Sequence, residues 1–482
     1  MAGPTLSSPD LPHSPRVAEL DGALDKIGVT RSHHTIIFLI LIGCLFDAFE
    51  QNAIGLVGPL LKQQWGLTAT DIGLLNMVTF ASAAIGRIVS GLVADRYGRR
   101  VMLSLDLLLF TLGAGICALA PDLTVMAVGR AIVGFGLGGE IAIAVTMLAE
   151  FCSSKFRGTA VGLVNVGAGG MGNFLAPAFG LLVFTLFPGE NSWRWLFFCL
   201  MLPALLGAFY RRYIPETPRF LLSRNKIAEA NQVLARLASG KLSGPAPQGR
   251  DWISDDGSRQ QAAPAKVRSM EIFQGALARR TLPLCIAIWM TYGAQISVLT
   301  LMPTILVSLG YTISKSLLFT MVMQSGSLLG AIAASVFGFH LPRKRVLTAG
   351  AICACLAALA IGFLAKSIVL ILAAGAVFQF FVLLLNTTIW IFAPELYPTR
   401  VRAFGTAFIL ATGTAAGALM PLVAGRLFDA FGLAGVFGMI AAMYGIFTVA
   451  IRTVPETYGK SPDAPLEETA PEAVVPAVAA RS

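Results

Sequence analysis

The chain has 482 residues, 56% of them hydrophobic and only 13% charged, about half the roughly 25% charged residues of an ordinary soluble domain. At a mean hydropathy of +0.73, a soluble fold would have to hide more apolar residues than surface-to-volume scaling permits. A soluble enzyme, a nucleic-acid binder and a disordered scaffold are thereby excluded, and the net charge of +10 must be judged by where the charges fall.

Residues 1–33 are polar and Pro-containing and read as a tail; the apolar run behind them is too long for the h-region of a signal peptide. Twelve apolar runs follow, each long enough to cross a bilayer at about 20 residues. They lie near 35–60, 71–94, 100–120, 123–149, 157–186, 193–213, 281–309, 313–339, 345–365, 367–394, 400–427 and 432–453. The runs are continuous rather than alternating and rich in Gly, Ala and Leu, which predicts helices and not strands. Between the sixth and seventh, an amphipathic helix is expected around Ile227–Leu237, then a Gly/Ser/Pro/Gln-rich stretch over 240–264 that reads as a flexible linker. The expected organisation is a tail (1–33), a six-helix bundle (34–213), a loop segment (214–280), a second six-helix bundle (281–453) and a closing tail (454–482).

With residues 1–33 on the inside, the inner segments hold 29 of the 36 lysines and arginines and the outer segments five. The positive-inside rule then places both termini in the cytoplasm and makes the basic balance a signal of topology. The seven cysteines lie mostly in apolar stretches without disulfide or metal-ligand spacing and read as small core residues.

The two halves repeat each other. Glu150-Phe-Cys-Ser153-Ser-Lys-Phe-Arg157 follows the fourth span, and Glu395-Leu-Tyr-Pro398-Thr-Arg-Val-Arg402 follows the tenth. Pro215-Glu216-Thr217 closes the sixth span and Pro455-Glu456-Thr457 the twelfth. Such a repeat predicts an all-α integral membrane protein of twelve transmembrane helices in two pseudo-symmetric six-helix bundles, the architecture of alternating-access transporters.

On these motifs the chain resembles the major facilitator superfamily over nearly its whole length. Gly91-Leu-Val-Ala-Asp95-Arg96-Tyr-Gly98-Arg99-Arg100 matches the superfamily's signature between the second and third helices. Arg130-Ala-Ile-Val-Gly134-Phe-Gly136-Leu-Gly138-Gly139-Glu140 is similar to its fourth-helix signature. Asp47-Ala-Phe-Glu50, Gly55 and Pro59 resemble the first helix of aromatic acid:proton symporters and nicotinate-type carriers, and Leu301-Met302-Pro303-Thr304 their seventh. Trp289-Met290 stand where sugar porters carry a Gln-Gln pair, and Ala176-Pro177-Ala-Phe-Gly180 only echoes the antiporter signature. The resemblance implies proton-coupled uptake of a small organic acid, with a proton-coupled sugar or polyol symporter as the alternative and an efflux antiporter or transporter-like sensor behind it. It implies no cofactor beyond a proton gradient, no nucleotide or nucleic-acid partner, a bacterial inner-membrane location and a monomer.

The site residues follow from charge and depth. An ionisable group at mid-bilayer costs about 2.5–3.5 kcal/mol by insertion scales, yet Asp47, Glu50, Arg87, Asp106, Arg130 and Glu140 lie within the first four spans. At about 1.5 Å per residue, Glu50 and Arg130 both come out roughly 20 Å above the inner face. Asp47 shares the face of Glu50. These three form a candidate proton-coupling site, whose acid takes or releases a proton as burial and the approach of Arg130 change; the competing reading is a permanent structural ion pair. Arg87, Asp106 and Glu140 fall nearer the inner side and are expected to form one polar cluster linking the second, third and fourth spans.

The resemblance assigns a gating role to Gly91, Asp95, Arg96, Gly98 and Arg99, with Glu150, Arg157, Glu395 and Arg402 in the repeated loops. Asp95 is expected to face the positive end of the helix beginning near Arg400. Mid-span Asn165, Asn173, Tyr292, Gln295, Gln324, Asn386 and Trp390 are candidate substrate contacts, each equally explained by an interhelical hydrogen bond. Arg130, once released from Glu50, is a candidate receiver for a substrate carboxylate. Gly134-Phe-Gly136-Leu-Gly-Gly139 and Gly167-Ala-Gly169-Gly-Met-Gly172 fit a dinucleotide pattern, but lie inside spans with no strand before them and read as packing glycines.

Overall fold

Capping residues set where the helices begin. The computed structural model describes residues 15–242, 251–254, 269–337, 341–364 and 367–457; the tail beyond residue 457 and most of the 240–264 stretch fall outside them. A first helix, α1 (Pro15–Ile27), precedes α2 (Arg31–Trp65), whose start is tied by Thr30 N donating to His33 Nδ1 and whose end is the left-handed Gly66. In α3 (Ala69–Tyr97) a reciprocal capping box joins Thr68 and Asp71, satisfying two otherwise orphaned donors. Gly98, at φ +105°, turns the chain directly into α4 (Arg99–Leu119), and Asp122 caps α5 (Leu123–Phe151).

The fifth span is not one regular helix. α6 (Ser154–Asn165) passes through a π-helical segment, Val166–Gly172, into α7 (Asn173–Leu186). This is the Gly167–Gly172 run, where missing side chains let the backbone loosen. The sixth span is split into α8 (Ser192–Cys199) and α9 (Pro203–Tyr213), Pro203 being unable to donate the bond that would continue α8. After α10 (Pro218–Ser223) and α11 (Ile227–Ser239) come α12 (Gly275–Ser308), α13 (Ile313–Phe337), α14 (Arg343–Leu359) with a π turn at Ala360–Leu364, and α15 (Ile368–Glu395). The last element, α16 (Thr399–Arg452), carries two spans that break at Gly432 (φ 63°, ψ −148°).

Ten helices among the described residues are individually long and apolar enough to span. Splitting of the sixth span and fusion of the last two account for the difference from twelve, and the twelve-helix fold stands. Lipid-facing stripes are visible: on α4, Val101, Leu105, Leu108 and Leu112 are exposed while Met102, Leu103, Leu107 and Phe110 are buried.

Two segments depart from the sequence expectation. The tail contains α1, whose Leu20, Ala23 and Leu24 form a buried stripe against α6, α10 and α11; Asp21 binds Arg219 at 2.8 Å and Arg157 at 3.7 Å. Residues 251–254 of the supposed linker are docked, because the Asn231 side chain accepts from Trp252 N and Ile253 N, and Ile253 is buried. The expected amphipathic helix is α11, with Ile227, Ala230, Val233, Leu234 and Leu237 inward.

The end of the bundle bearing α1, α10 and α11 is called the inner end below. The halves meet where α2 packs on α12, α3 on α16 and α7 on α13. Glycines set the closeness of approach: Gly55 lies against the Leu299 carbonyl, and a Cβ on Gly73 would stand 2.6 Å from the Pro421 oxygen.

Candidate functional site

Arg130 and Glu50 meet as their depths predict. Arg130 Nη1 lies 3.4 Å from Glu50 Oε1, with both side chains fully buried. The guanidinium also donates to Thr79 Oγ1 at 3.0 Å and to the Glu50 carbonyl at 3.2 Å. Three helices therefore hold one cation, and removing one partner of such a buried pair costs about 3–5 kcal/mol. Asp47, fully buried one turn below, accepts from Gln51 Nε2 at 2.9 Å through one oxygen. Its other oxygen has no hydrogen-bond partner among the described residues.

The expected cluster of Arg87, Asp106 and Glu140 is not one network. Asp106 accepts from Ser90 at 3.1 Å. Arg87 donates to the Gly138 carbonyl at 3.2 Å and, across to the other half, to Thr414 Oγ1 at 2.6 Å. Glu140 lies beside Gly43 and Tyr210, on the α2 and α9 side. Successive helix residues point about 100° apart, so Gly138 faces α3, Gly139 faces Ser90 and Asp106, and Glu140 is turned away from both.

The substrate candidates divide similarly. Asn386 donates to Gln295 Oε1 at 2.5 Å, and next to it Thr387 accepts from Asn165 at 2.7 Å across the two halves. Tyr292 packs on Gly413 and Gly417, and Trp390 is half-buried on α15. Asn173 instead accepts from Asn52 within the first half, and Gln324 accepts from Ser327 within its own helix. Gln379 was missed: it is buried on α15 with neither amide atom bonded among the described residues. A polar amide in so apolar a helix is the signal that could have found it.

At the inner end the signature residues bond within their own halves. Arg99 reaches Asp95 at 3.1 Å and Glu150 at 3.6 Å, while Glu216 accepts from the backbone N–H groups of Arg99 and Arg100. In the second half Arg343 reaches Glu395 at 3.2 Å, Thr457 donates to Glu395, and Glu456 accepts from Arg343 N and Lys344 N. The repeat read from sequence is thus a repeat of contacts. Gly98 is favoured by its φ of +105°, a conformation strained for other L residues; a Cβ there would also displace the Glu216 carboxylate. Burial raises the Glu216 pKa above the ordinary glutamate value, against the bonds it accepts from backbone N–H groups. Glu216→Ala, which uncaps α4, is expected to cost about 0.5–2 kcal/mol, read as a lowered Tm in detergent. Arg157 turns to Asp21, Arg402 donates to the Tyr397 carbonyl, and Arg96 lies over the Tyr97 ring.

Asp95 does not take up the expected position at the start of α16. Its side chain is 74% exposed and pairs with Arg99, and a Cβ on Gly91 would meet nothing within 4 Å. The α3–α16 seam is closed at the other end, while around Gly91 α3 has open space beside it. An exposed pair contributes about 0.2–1 kcal/mol. If Asp95 gates, Asp95→Asn is expected to leave Tm and ligand affinity unchanged while slowing transport. A large loss of ligand binding in detergent would contradict this.

Sequence reasoning missed the outer closure. Asp429 of α16 accepts from Ala69 N at 3.2 Å, Thr70 N at 3.0 Å and Thr70 Oγ1 at 2.7 Å, capping the start of α3. A Cβ on Gly425 would stand 2.5 Å from the Ala69 oxygen. Gly425-Arg-Leu-Phe-Asp429-Ala-Phe-Gly432 has the spacing of Gly91-Leu-Val-Ala-Asp95-Arg-Tyr-Gly98, and both closing glycines have positive φ. That repeated spacing was the available signal.

Residues 37–465 match the family model for sugar (and other) transporters. The niacin transporter of Acinetobacter baylyi is 28% identical over 445 residues, covering 92% of this chain and 98% of that protein. The gallate transporter of Pseudomonas putida is 29% identical over 405 residues, covering 81% and 85%. Among solved structures, a D-xylose-proton symporter superposes with a TM-score of 0.69 at 18% identity, covering 89% of this chain and 99% of that one. A partially occluded, inward-open xylose transporter from E. coli gives 0.67, also at 18% identity, covering 89% and 99%. The chain, a multi-pass membrane transporter and not an enzyme, belongs to the sugar (and other) transporter family of the major facilitator superfamily.

Proposed function

We propose that the protein imports a small organic acid, an aromatic or pyridine carboxylate, together with protons, across the bacterial inner membrane with both termini in the cytoplasm. The observation that carries this reading is the fully buried Glu50–Arg130 pair at mid-depth, with Asp47 one turn away. A carboxyl there is charged only while the guanidinium neutralises it, so separating the two favours taking up a proton. Rocking of the halves about the α2–α12 and α3–α16 contacts supplies the motion that makes or breaks the pair. Relatives named for niacin and gallate support an acid as the cargo. The proton gradient drives the cycle, no cofactor is needed, and one chain carrying both halves works as a monomer.

The second reading, a proton-coupled sugar symporter, is favoured by the fold likeness to a D-xylose-proton symporter and opposed by Trp289-Met290. Proteoliposomes loaded with a pH-sensitive dye separate the two. The account expects interior acidification when nicotinate, benzoate or gallate is added outside. Acidification by a neutral hexose alone would establish the sugar reading, and acidification by neither would remove symport.

A further inference from the structure

Arg87 lies seven residues before Ala94 on α3, which precedes the exposed Asp95; at 1.5 Å per residue that puts it about 10 Å inside the inner face of a ~30 Å apolar core. Its partners are the Gly138 carbonyl and the Thr414 hydroxyl, both neutral. The other cation within the core, Arg130, is paired with Glu50 and has no exposed surface here. Asp106 is bonded to Ser90 and Asp47 to Gln51. Among the described residues, α3 thus holds a guanidinium within the apolar core that is in no salt bridge, an arrangement that marks function in a membrane interior.

Its surroundings fit one kind of ligand. A cleft lined by Arg87, Gly91, Ala94, Asp95, Gly139 and Thr146 runs from the guanidinium toward the inner end. On α16, Tyr292 rests on Gly413 and Gly417, on either side of Thr414. Phe80, two turns along the same face of α3, packs into a small apolar cluster with Ile296, Leu299 and Ala418. The cleft reaches Arg87, while Tyr292 and Phe80 meet at Gly417, beyond the cleft's lining and one turn of α16 from Thr414.

We infer that Arg87 is the anchor for the substrate's carboxylate, with the substrate's ring against Tyr292 and Phe80. The inference rests on the organic-acid reading and gives it a place. A carboxylate matches the guanidinium fork with two parallel hydrogen bonds and supplies a directly bonded counter-charge, which a neutral sugar does not. Thr414 belongs to the other half of the molecule, so a carboxylate that takes its place on Nη1 removes a bond tying α3 to α16. Binding and the relative position of the halves are linked through this one side chain.

The test is isothermal titration of the purified full-length protein with nicotinate, benzoate and gallate, each beside its neutral amide. Wild type is expected to prefer a carboxylate to its amide. Arg87→Gln is expected to weaken carboxylate binding by about 30-fold or more while amide binding stays within about twofold, since a charge-assisted bidentate contact is lost. Arg87→Lys keeps the charge but not the fork and is expected to lose about tenfold; it carries the test if Arg87→Gln does not fold. Carboxylate binding unchanged in either variant overturns the anchor and leaves the organic-acid reading standing. Parallel loss of carboxylate and amide binding assigns Arg87 a structural role and overturns it too. Wild type that binds a hexose and none of the acids removes the organic-acid reading and the anchor with it.

Discussion

Glu50→Gln is expected to abolish proton-driven accumulation, bringing the internal-to-external substrate ratio down to about one, while exchange of labelled for unlabelled substrate continues. Glutamine keeps an oxygen for Arg130 and fills the same volume, so the packing of α2, α3 and α5 around the guanidinium survives. It cannot take up or release a proton, so alternation is no longer tied to the gradient. Glu50→Ala is the structural control. It leaves Arg130 buried without an ion partner, at a cost of about 3–5 kcal/mol, and is expected to fail in folding rather than in coupling alone. Uphill uptake retained by Glu50→Gln would show the pair to be a permanent strut.

Gly425→Val is expected to lower transport by more than tenfold by holding the outer seam ajar. A Cβ at 425 would stand 2.5 Å from the Ala69 oxygen and 2.8 Å from its carbonyl carbon. Both are backbone atoms of the first turn of α3 and cannot swing aside as a side chain can. Asp429→Asn acts at the same place more gently, because the charge on the positive end of α3 is lost while one acceptor remains. A cysteine at Leu299, buried against Gly55 in the neighbouring α2–α12 seam, reports the opening of the outer side. Outside labelling by a membrane-impermeant maleimide is expected to rise strongly in Gly425→Val and moderately in Asp429→Asn. Unchanged labelling in both would show that this contact does not hold the outer side shut.

Much of this molecule is legible in its sequence because membrane helices obey a simple ruler. Twelve apolar runs give the fold, and 1.5 Å per residue brings Glu50 to the height of Arg130 before any coordinates are known. What the ruler omits is direction around each helix. In water an apolar stripe marks the buried face, but lipid is as apolar as the core, so Val101 and Leu105 face outward on α4 while Met102 and Leu103 face inward. Depth alone therefore grouped Arg87, Asp106 and Glu140, which the rotation of α3 and α5 sends to different neighbours. Glycines carry the missing information: Gly134, Gly138 and Gly139 mark the face of α5 turned to α3. The interruptions were hidden for local reasons, a glycine run loosening one span and Pro203 splitting another, while hydropathy stays high through both. The docking of α1 and Ile253 depends on partners distant in the chain.

The central claim is that movement of an organic acid is tied to protons through the buried pair. The most direct measurement is uptake of labelled nicotinate, benzoate and gallate into proteoliposomes, with and without an inward proton gradient, for wild type and Glu50→Gln side by side. The account predicts accumulation of at least one acid above equilibrium in wild type only when the gradient is present, and equilibration without accumulation in the variant. Accumulation by wild type that ignores the gradient, or by Glu50→Gln that follows it, would contradict the account.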